Sequence, residues 1–417
     1  MKAETAAAAP PAGTPVDWER ARQLAYRAGL DAAPAGRPRA LPDADGHTLA
    51  EALVALTDLP AFPTSSIDGW AVRGTGPWRP TGQVLAGGTA PPLEVDGTAV
   101  EIATGAMVPS GTTAILRTEE STVTGAGLIS GTPRAQPEWR RPGEEASRGE
   151  LILPAGTAVD PGVIGLAASC GYDELVVRPA PRAALLVFGD ELLTAGPPGA
   201  GRVRDALGPA VPAWLRRYGA TVAPKAVVGP VRDTLAAHVE AIRGALAHAD
   251  VVCTTGGTMH GPVDHLHPAL RELGARYVVN TVAVRPGFPM LLARVPGPDG
   301  RARFLAGLPG NPQSAVLALV SLVAPLLAGL HGRRLPELPK VTLAEALPGR
   351  GDHTHLALVR LDPVEGTAHP TRHVGSAMLR GLAAADGFAV IAPGVRTASA
   401  GARVPFVPLP LRNGERG

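Results

Sequence analysis

The stretch Arg182-Ala183-Ala184-Leu185-Leu186-Val187-Phe188, running straight into Gly189-Asp190-Glu191, decides the fold. It reads as a fully apolar strand, and the next 150 residues repeat the same grammar. A helix is predicted around Pro209–Tyr218, closed by Gly219, then a strand near Thr221–Val228. A second helix over Thr234–His248 puts Leu235, Val239, Ile242 and Leu246 on one face. The strand Val251–Thr255 leads into Gly256-Gly257. Later, Phe304–Leu308 leads into Pro309-Gly310-Asn311-Pro312 and a long apolar helix, with Asn311 as N-cap and Pro312 at the first helical position. Apolar strands alternating with amphipathic helices specify a doubly wound, parallel-rich α/β domain.

On either side the pattern changes. Asp17 is placed to cap a helix over Trp18–Ala28 before Gly29, and a second helix is expected from about Gly46, with Leu49, Leu53 and Leu56 near helical spacing. From Pro60 to Pro137 the runs are short and β-like, as in Gln83–Ala86, Ala99–Thr104 and Thr113–Leu116, and glycine and proline punctuate them. That is the signature of a small, mostly β module. Turns and one helix around Val163–Cys170 come next, and beyond Pro336 short strands suggest a C-terminal β domain.

Composition narrows the function. Of 417 residues, 51 are Gly and 44 Pro, yet 45% are hydrophobic, so a turn-rich globular protein is expected. Aromatics at 4% argue against base-stacking platforms, and a net charge of +2 with no basic run calls for neither a nucleic-acid nor a membrane partner. Cys170 and Cys253 cannot build a disulfide framework or a cysteine-rich zinc site, and each reads as a buried thiol. The apolar run Ala315–Leu330 is interrupted by Pro325 and falls short of the ~18–20 residues that span a bilayer. Residues 1–15 read as a disordered tail with no signal core, so the expected compartment is the cytoplasm.

Ligands of open α/β sheets bind beyond the carboxyl ends of the strands. Three such ends carry unusual residues: Gly189-Asp190-Glu191, Thr254-Thr255-Gly256-Gly257-Thr258 and Gly307-Leu308-Pro309-Gly310-Asn311-Pro312. Glycines admit a ligand close to the backbone, and free amides favour an anion such as phosphate. The phosphate-loop signature GxxxxGK[ST] and a GxGxxG fingerprint opening a first βα unit are missing, so neither a P-loop hydrolase nor an ordinary dinucleotide oxidoreductase is supported, and no GxSxG elbow is found either.

With these segments the chain resembles the molybdopterin molybdotransferases, the bacterial MoeA type that also forms the E domain of gephyrin. The matching residues run from Ser66-Ile67-Asp68-Gly69-Trp70-Ala71-Val72 and Ile102-Ala103-Thr104-Gly105-Ala106 through Gly189-Asp190-Glu191-Leu192. They continue through Thr255-Gly256-Gly257 to Asp264, then Arg285-Pro286-Gly287 and Gly307–Pro312. The resemblance implies four domains: an elongated domain I (16–57 and 138–179), an inserted β domain II (58–137), an α/β molybdopterin-binding domain III (180–334) and a β-barrel-like domain IV (335–417). It implies a homodimer whose cleft joins domain III of one subunit to domain II of the other, and other molybdenum cofactor biosynthesis proteins as candidate partners. The implied reaction takes adenylylated molybdopterin and molybdate, releases AMP, and uses magnesium or another divalent cation. By resemblance Asp68, Glu191 and Asp264 surround metal and molybdate, with Thr104 as a further catalytic residue; otherwise the three carboxylates read as a turn cap, a helix-start charge and an N-cap. Gly256, Gly257 and Thr258 would cradle the pterin phosphate, Gly310 and Asn311 would form the cleft wall, and Arg285 and Ser376 would contact substrate.

Departures from the family pattern fall largely on polar positions. Met259 replaces a usual Ser, Phe288 a Lys, Arg285 a Lys, Leu207 an Asn, Phe188 a Thr, Glu145 an Asp and His355 an Arg. The alternative reading is therefore a catalytically impaired paralogue that binds molybdopterin or its adenylate as carrier or scaffold. A nucleotide-processing enzyme of the CinA type, sharing only domain III, is opposed by the domain II and IV segments. His260, His265 and His267 near a carboxylate form a rival metal reading, but no HExxH spacing supports it.

Overall fold

Alternate side chains of the strand after Arg182 enter two different hydrophobic cores, and that division organises the larger of the two units into which the chain packs. The computed structural model describes residues 14–89, 91–258 and 264–410. The larger unit comprises the chain up to Gly36, Gly46–Thr48, and everything from Arg178 onward. It begins with α1 (Trp18–Asp31), whose N-cap Asp17 accepts the Arg20 N–H at 3.0 Å. The α/β domain then runs β1 (Ala183–Phe188), α2 (Leu207–Arg217), β2 (Val227–Val231), α3 (Leu235–Leu246), β3 (Val251–Thr255), α4 (Leu266–Glu272), β4 (Arg276–Val279), β5 (Leu291–Pro296) and β6 (Ala302–Leu308). The sheet order is β2-β1-β3-β6-β5-β4. Its first three pairings are parallel and the last two antiparallel. Ala183, Leu185 and Val187 pack toward α1 and α2, while Ala184, Leu186 and Phe188 pack toward α3 and α4. The doubly wound fold expected from the alternation is present. Register brings Val187, Thr255 and Leu308 level, so three glycine-bearing loops leave the same edge.

The long apolar helix α5 (Pro312–Leu330) is the spine of the first core. Its middle turn, Leu319–Val323, is a π turn placed just before Pro325. A proline inside a helix clashes with the carbonyl four residues earlier, and the wider turn relieves that clash at Ser321. Among the described residues α5 alone is long and apolar enough to cross a membrane, and 89% of that stretch is buried within the fold. α1 lies directly on it. A Cβ at Gly29 would run into the Leu326 carbonyl and one at Gly329 into the Tyr26 carbonyl, so two glycines permit a backbone-to-backbone crossing. The Trp18 indole N–H donates to the Ser321 hydroxyl at 2.9 Å in the same interface.

The C-terminal strands β7 (Lys340–Leu343), β8 (Thr354–Leu361), β9 (Thr367–Pro370), β10 (Gly387–Ile391) and β11 (Arg403–Pro408) close on themselves. The order β8-β9-β7-β11-β10 is completed by a β8–β10 pairing, giving a five-stranded barrel around Leu343, Val359, Ile391 and Phe406. The short strand Val284–Arg285 pairs in parallel with the start of β8 and sets Arg285 opposite His355.

The second unit, Arg37–Asp45 and Leu49–Val177, contains a four-stranded sheet in the order Arg79–Val84, Thr98–Ile102, Gly69–Arg73, Ala114–Arg117. This matches the expected β module, and a helix does form at Pro161–Ser169, capped by Asp160. The helix expected from Gly46 does not form. Thr48–Leu49 and Leu53–Val54 are strands, the latter paired with Leu151–Leu153, and Leu56 is 49% exposed rather than on a buried face. Pairing with chain about a hundred residues away overrides local spacing there. Near Thr221–Val228 the strand begins only at Val227, after a 3-10 turn at Pro224–Ala226. Of the expected tail, residues 1–13 lie outside the described residues, as do Met259, His260 and the end of the chain from Leu411.

Candidate functional site

A cleft of about 750 Å³ opens at the carboxyl edge of the sheet. It is lined by Glu191, Asp205, Gly256, Gly257, Thr258, Asp264, Gly310 and Asn311. Gly256 and Gly257 both adopt left-handed φ values, +85° and +66°, which turn the chain sharply after β3. The Gly256 N–H donates to the Leu308 carbonyl at 2.9 Å, locking this loop to the end of β6. Glu191 folds back over Gly189, where a Cβ would crowd its carboxylate oxygens. Glu191 sits in the turn after β1, and no helix starts there; α2 starts at Leu207. Asp264 likewise precedes the N-cap position of α4, which His265 occupies. Asp205 accepts the Leu207 and Gly208 N–H groups, both at 2.9 Å, and so holds the start of α2 despite the apolar Leu207.

Beside this cleft lies a second pocket of about 850 Å³. Its lining includes Arg285, Arg350, His353, His355, Gln313, Thr371 and Ser376, and carries no carboxylate among the described residues. The segment between the two is 374–377: Val374, Gly375 and Ser376 line the pocket, and Ala377 lines the cleft. That segment is tied to the start of α5. The Ser376 carbonyl accepts the Gln313 N–H at 3.0 Å, and the Asn311 side-chain amide donates to the Ser376 hydroxyl at 3.3 Å. Asn311 holds the N-cap position but its side chain does not cap; the Ser376 carbonyl does that work.

Phe288 bears on this second pocket. The Arg285 guanidinium carbon lies 5.1 Å from the Phe288 ring centre, and the His353 ring stands edge-on to Phe288 at 5.8 Å. The aromatic ring thus holds Arg285 by a cation–π contact. His355 is nearly buried, and its Nδ1–H donates to the Pro348 carbonyl at 2.6 Å. Burial lowers its pKa, opposed by that hydrogen bond, so the ring tends to the neutral form and leaves Nε2 as an acceptor. Positive charge in the pocket comes from Arg285 and Arg350.

Asp68 and Thr104 belong to the second unit. They flank paired strands, Asp68 before Gly69–Arg73 and Thr104 after Thr98–Ile102, and Gly69 opposite Ile102 brings them together. Both the Thr104 N–H, at 2.7 Å, and its hydroxyl, at 3.0 Å, donate to one Asp68 oxygen. The backbone bond first, then the hydroxyl, holds the Asp68 carboxyl below its ordinary pKa, so it stays ionised to lower pH. Thr104→Val should therefore raise the Asp68 pKa part of the way toward the usual carboxylate range, since the backbone donor remains. An unchanged value in a carboxyl-carbon NMR titration would refute the hydroxyl's share.

Of the residues singled out in the sequence, Glu191, Gly256, Gly257, Thr258, Asp264, Gly310 and Asn311 meet in the cleft, and Arg285 and Ser376 meet in the adjacent pocket. Arg350, Thr371 and Gln313 escape sequence reasoning, because pocket-lining residues on a barrel strand edge or helix start carry no spacing signal. Glu191 and Asp264 offer hard carboxylate oxygens beside glycine amides. Magnesium is commonly held by one or two carboxylates plus substrate phosphates, so this donor set fits that ion. Among the described residues no three His, Cys, Asp or Glu side chains gather to hold a metal alone. His267 instead bonds the Tyr277 hydroxyl through Nδ1 at 2.6 Å, and His265 stands edge-on to His238.

Comparison with known proteins matches the chain along most of its length. Residues 16–171 match the MoeA N-terminal region (domain I and II), residues 184–329 a probable molybdopterin binding domain, and residues 340–409 the MoeA C-terminal region (domain IV). A molybdopterin molybdenumtransferase of Staphylococcus aureus (strain MSSA476) is 29% identical over 377 residues, covering 87% of this chain and 88% of that protein. A homologue of the same name from Staphylococcus epidermidis (strain ATCC 12228 / FDA PCI 1200) is 29% identical over 372 residues, 85% of this chain and 87% of that one. Among solved structures, a molybdopterin biosynthesis MoeA protein from Pyrococcus horikoshii OT3 superimposes with a TM-score of 0.74 at 21% identity, over 94% of this chain and 99% of that one. Three consecutive domain matches, near-full-length relatives and the shared fold lead to one conclusion: the chain belongs to the MoeA family of molybdenum cofactor biosynthesis proteins.

Proposed function

We propose that this chain transfers molybdenum from molybdate to adenylylated molybdopterin with release of AMP, as a four-domain homodimer assisted by magnesium. The observation that carries this reading is the adjacency of two unlike cavities. One has a glycine loop and three carboxylates, Glu191, Asp205 and Asp264, with Arg204 at its lining, and the other has two arginines and no carboxylate among the described residues. A pterin phosphate and a diphosphate suit the first, through the Gly257 and Thr258 amides that the Gly256 turn presents and the carboxylates Glu191 and Asp264. A tetrahedral oxyanion such as molybdate suits the second, through Arg285, Arg350 and the Ser376 hydroxyl. Magnesium held by Glu191 and Asp264 would neutralise charge developing on the phosphoanhydride. Asp68 and its partner Thr104 would reach this cleft from the other subunit, as the family resemblance implies, and the ionised Asp68 would complete the carboxylate set.

One observation favours a second reading, a non-catalytic binder of molybdopterin or its adenylate. Phe288 occupies the space beside Arg285 with an aromatic ring, and His355 tends to neutral, so the oxyanion pocket is weaker in donors than its two arginines suggest. Incubation of the purified protein with adenylylated molybdopterin, molybdate and magnesium separates the two. AMP appearing in proportion to molybdate is the expected result; tight binding of the adenylate with no AMP would replace transfer by carriage.

A further inference from the structure

Beneath the cleft, in the first turn of α3, sits a histidine packed against the segments that carry Glu191, Gly257 and Asp264. His238 has no exposed surface. Its ring lies flat on Phe188, with centroids 3.8 Å apart and planes 12° apart, and Phe188 is the last residue before Gly189-Asp190-Glu191. The His265 ring, next to Asp264, stands against it at 5.7 Å and 82°. A Cβ on Gly257 would lie 3.9 Å from its Cε1. On its fourth side, Asp233 presents Oδ1 at 3.6 Å from Nε2, while Asp233 Oδ2 accepts the Asp190 N–H at 3.2 Å.

Among the described residues neither ring nitrogen has a hydrogen-bond partner, and both are buried. A buried polar group without a partner is unfavourable, and leucine or phenylalanine would fill the same volume without that penalty. Burial also lowers the His238 pKa, with Asp233 opposing, so the neutral ring carries one N–H to donate. At 3.6 Å the Nε2–Asp233 pair is a few tenths of an ångström beyond hydrogen-bonding distance. Catalytic hydrogen bonds of this kind commonly tighten only when substrate is bound.

We infer that His238, acting with Asp233, is a positioning residue that ties the Gly189–Glu191 turn, the Gly256–Thr258 loop and the Asp264 turn into one rigid floor when substrate is bound. The inference rests on the cleft being the transferase site, but not on AMP release for its test. The Nε2–H to Asp233 bond draws the Asp190 turn, and with it Glu191, toward α3. The ring plate fixes Phe188 and His265 on its face and edge. Because its nitrogens are sealed from the cleft, His238 acts on the reaction only through these segments.

Hydrogen exchange on the full-length protein reads this directly. His238→Phe keeps the plate and removes the donor; Asp233→Asn weakens the acceptor without altering the core; His238→Gln keeps an N–H donor. With substrate bound, His238→Phe and Asp233→Asn should each speed amide exchange in 189–193 about tenfold, with the melting temperature of His238→Phe unchanged or raised. Turnover should fall about 30-fold at nearly constant KM, and His238→Gln should recover most of it. The double variant should lose no more than either single one. Unchanged exchange and turnover in folded His238→Phe and Asp233→Asn would overturn the inference. A fall in melting temperature that tracks the loss of turnover would also overturn it, because the role would then be packing. If the wild type releases no AMP, the transferase reading fails while the exchange result, taken with the adenylate alone, still decides the role of His238.

Discussion

Equal mixing of Asp68→Ala and Glu191→Ala subunits is expected to recover about a quarter of wild-type AMP release, although either variant alone loses on the order of 100- to 1000-fold. The loss follows from the chemistry. In the proposed reaction, cleaving the phosphoanhydride builds negative charge, and each carboxylate would help hold the cation that neutralises it. The recovery follows from symmetry. Random pairing makes half the dimers mixed, and in each mixed dimer one cleft combines the intact Glu191 of one subunit with the intact Asp68 of the other. The second cleft carries both lesions and stays silent. Were Asp68 to serve the cleft of its own chain, every cleft in a mixed dimer would carry one lesion and nothing would be recovered. Subunit exchange followed by an AMP assay therefore distinguishes the two arrangements by a qualitative outcome.

Replacing Phe288 by lysine is expected to raise AMP release at low molybdate by up to about 100-fold, the scale on which one well-placed electrostatic donor acts. In the present arrangement the ring holds Arg285 at 5.1 Å and meets His353 at 5.8 Å. Lysine removes the cation–π contact, worth about 0.5–1 kcal/mol at an exposed site, and places a second cation beside Arg285. Without an anion the two repel, so the free protein should be slightly less stable. With molybdate bound they act together, so the gain belongs to low substrate concentration and fades near saturation. Rates across a molybdate series, with a urea midpoint for each protein, check both signs. A folded Phe288→Lys dimer with no gain would shift the function toward a carrier of molybdopterin.

The α/β domain is legible in the sequence because its strands are apolar on both faces and its helices amphipathic, so Ala183–Phe188, Val251–Thr255 and Ala302–Leu308 announce themselves locally. The loops at their carboxyl ends are legible for the same reason, since glycine pairs and Asn-Pro mark where the chain must turn. Leu49 and Leu53 mislead because their partners are supplied by Leu151–Leu153 and Thr157, which no local window contains. Arg350 and His238 escape for a different reason. One enters its pocket from a barrel edge, and the other sits on a helix face that reads as ordinary core; only the assembled tertiary structure gives either a neighbour worth noticing. Asn311 also differs from its sequence reading as a side-chain cap, because the acceptor for the helix start comes from Ser376, 65 residues away.

The crossing of α1 on α5 carries a consequence for synthesis on the ribosome. Trp18 and Ser321, hydrogen-bonded in that interface, are 303 residues apart in the chain. Most of residues 37–177, which lie between them, hold their own hydrophobic cores, so they can close into a finished unit as they emerge. α1 has no such resource. A 14-residue helix is marginal in water, and the groove that receives it does not exist until Leu330 has been made. At elongation rates of about 5–20 residues per second, α1 waits roughly 15–60 s for its partner. α1 is therefore made long before it finds its place, and the order in which this protein folds differs from the order in which it is written.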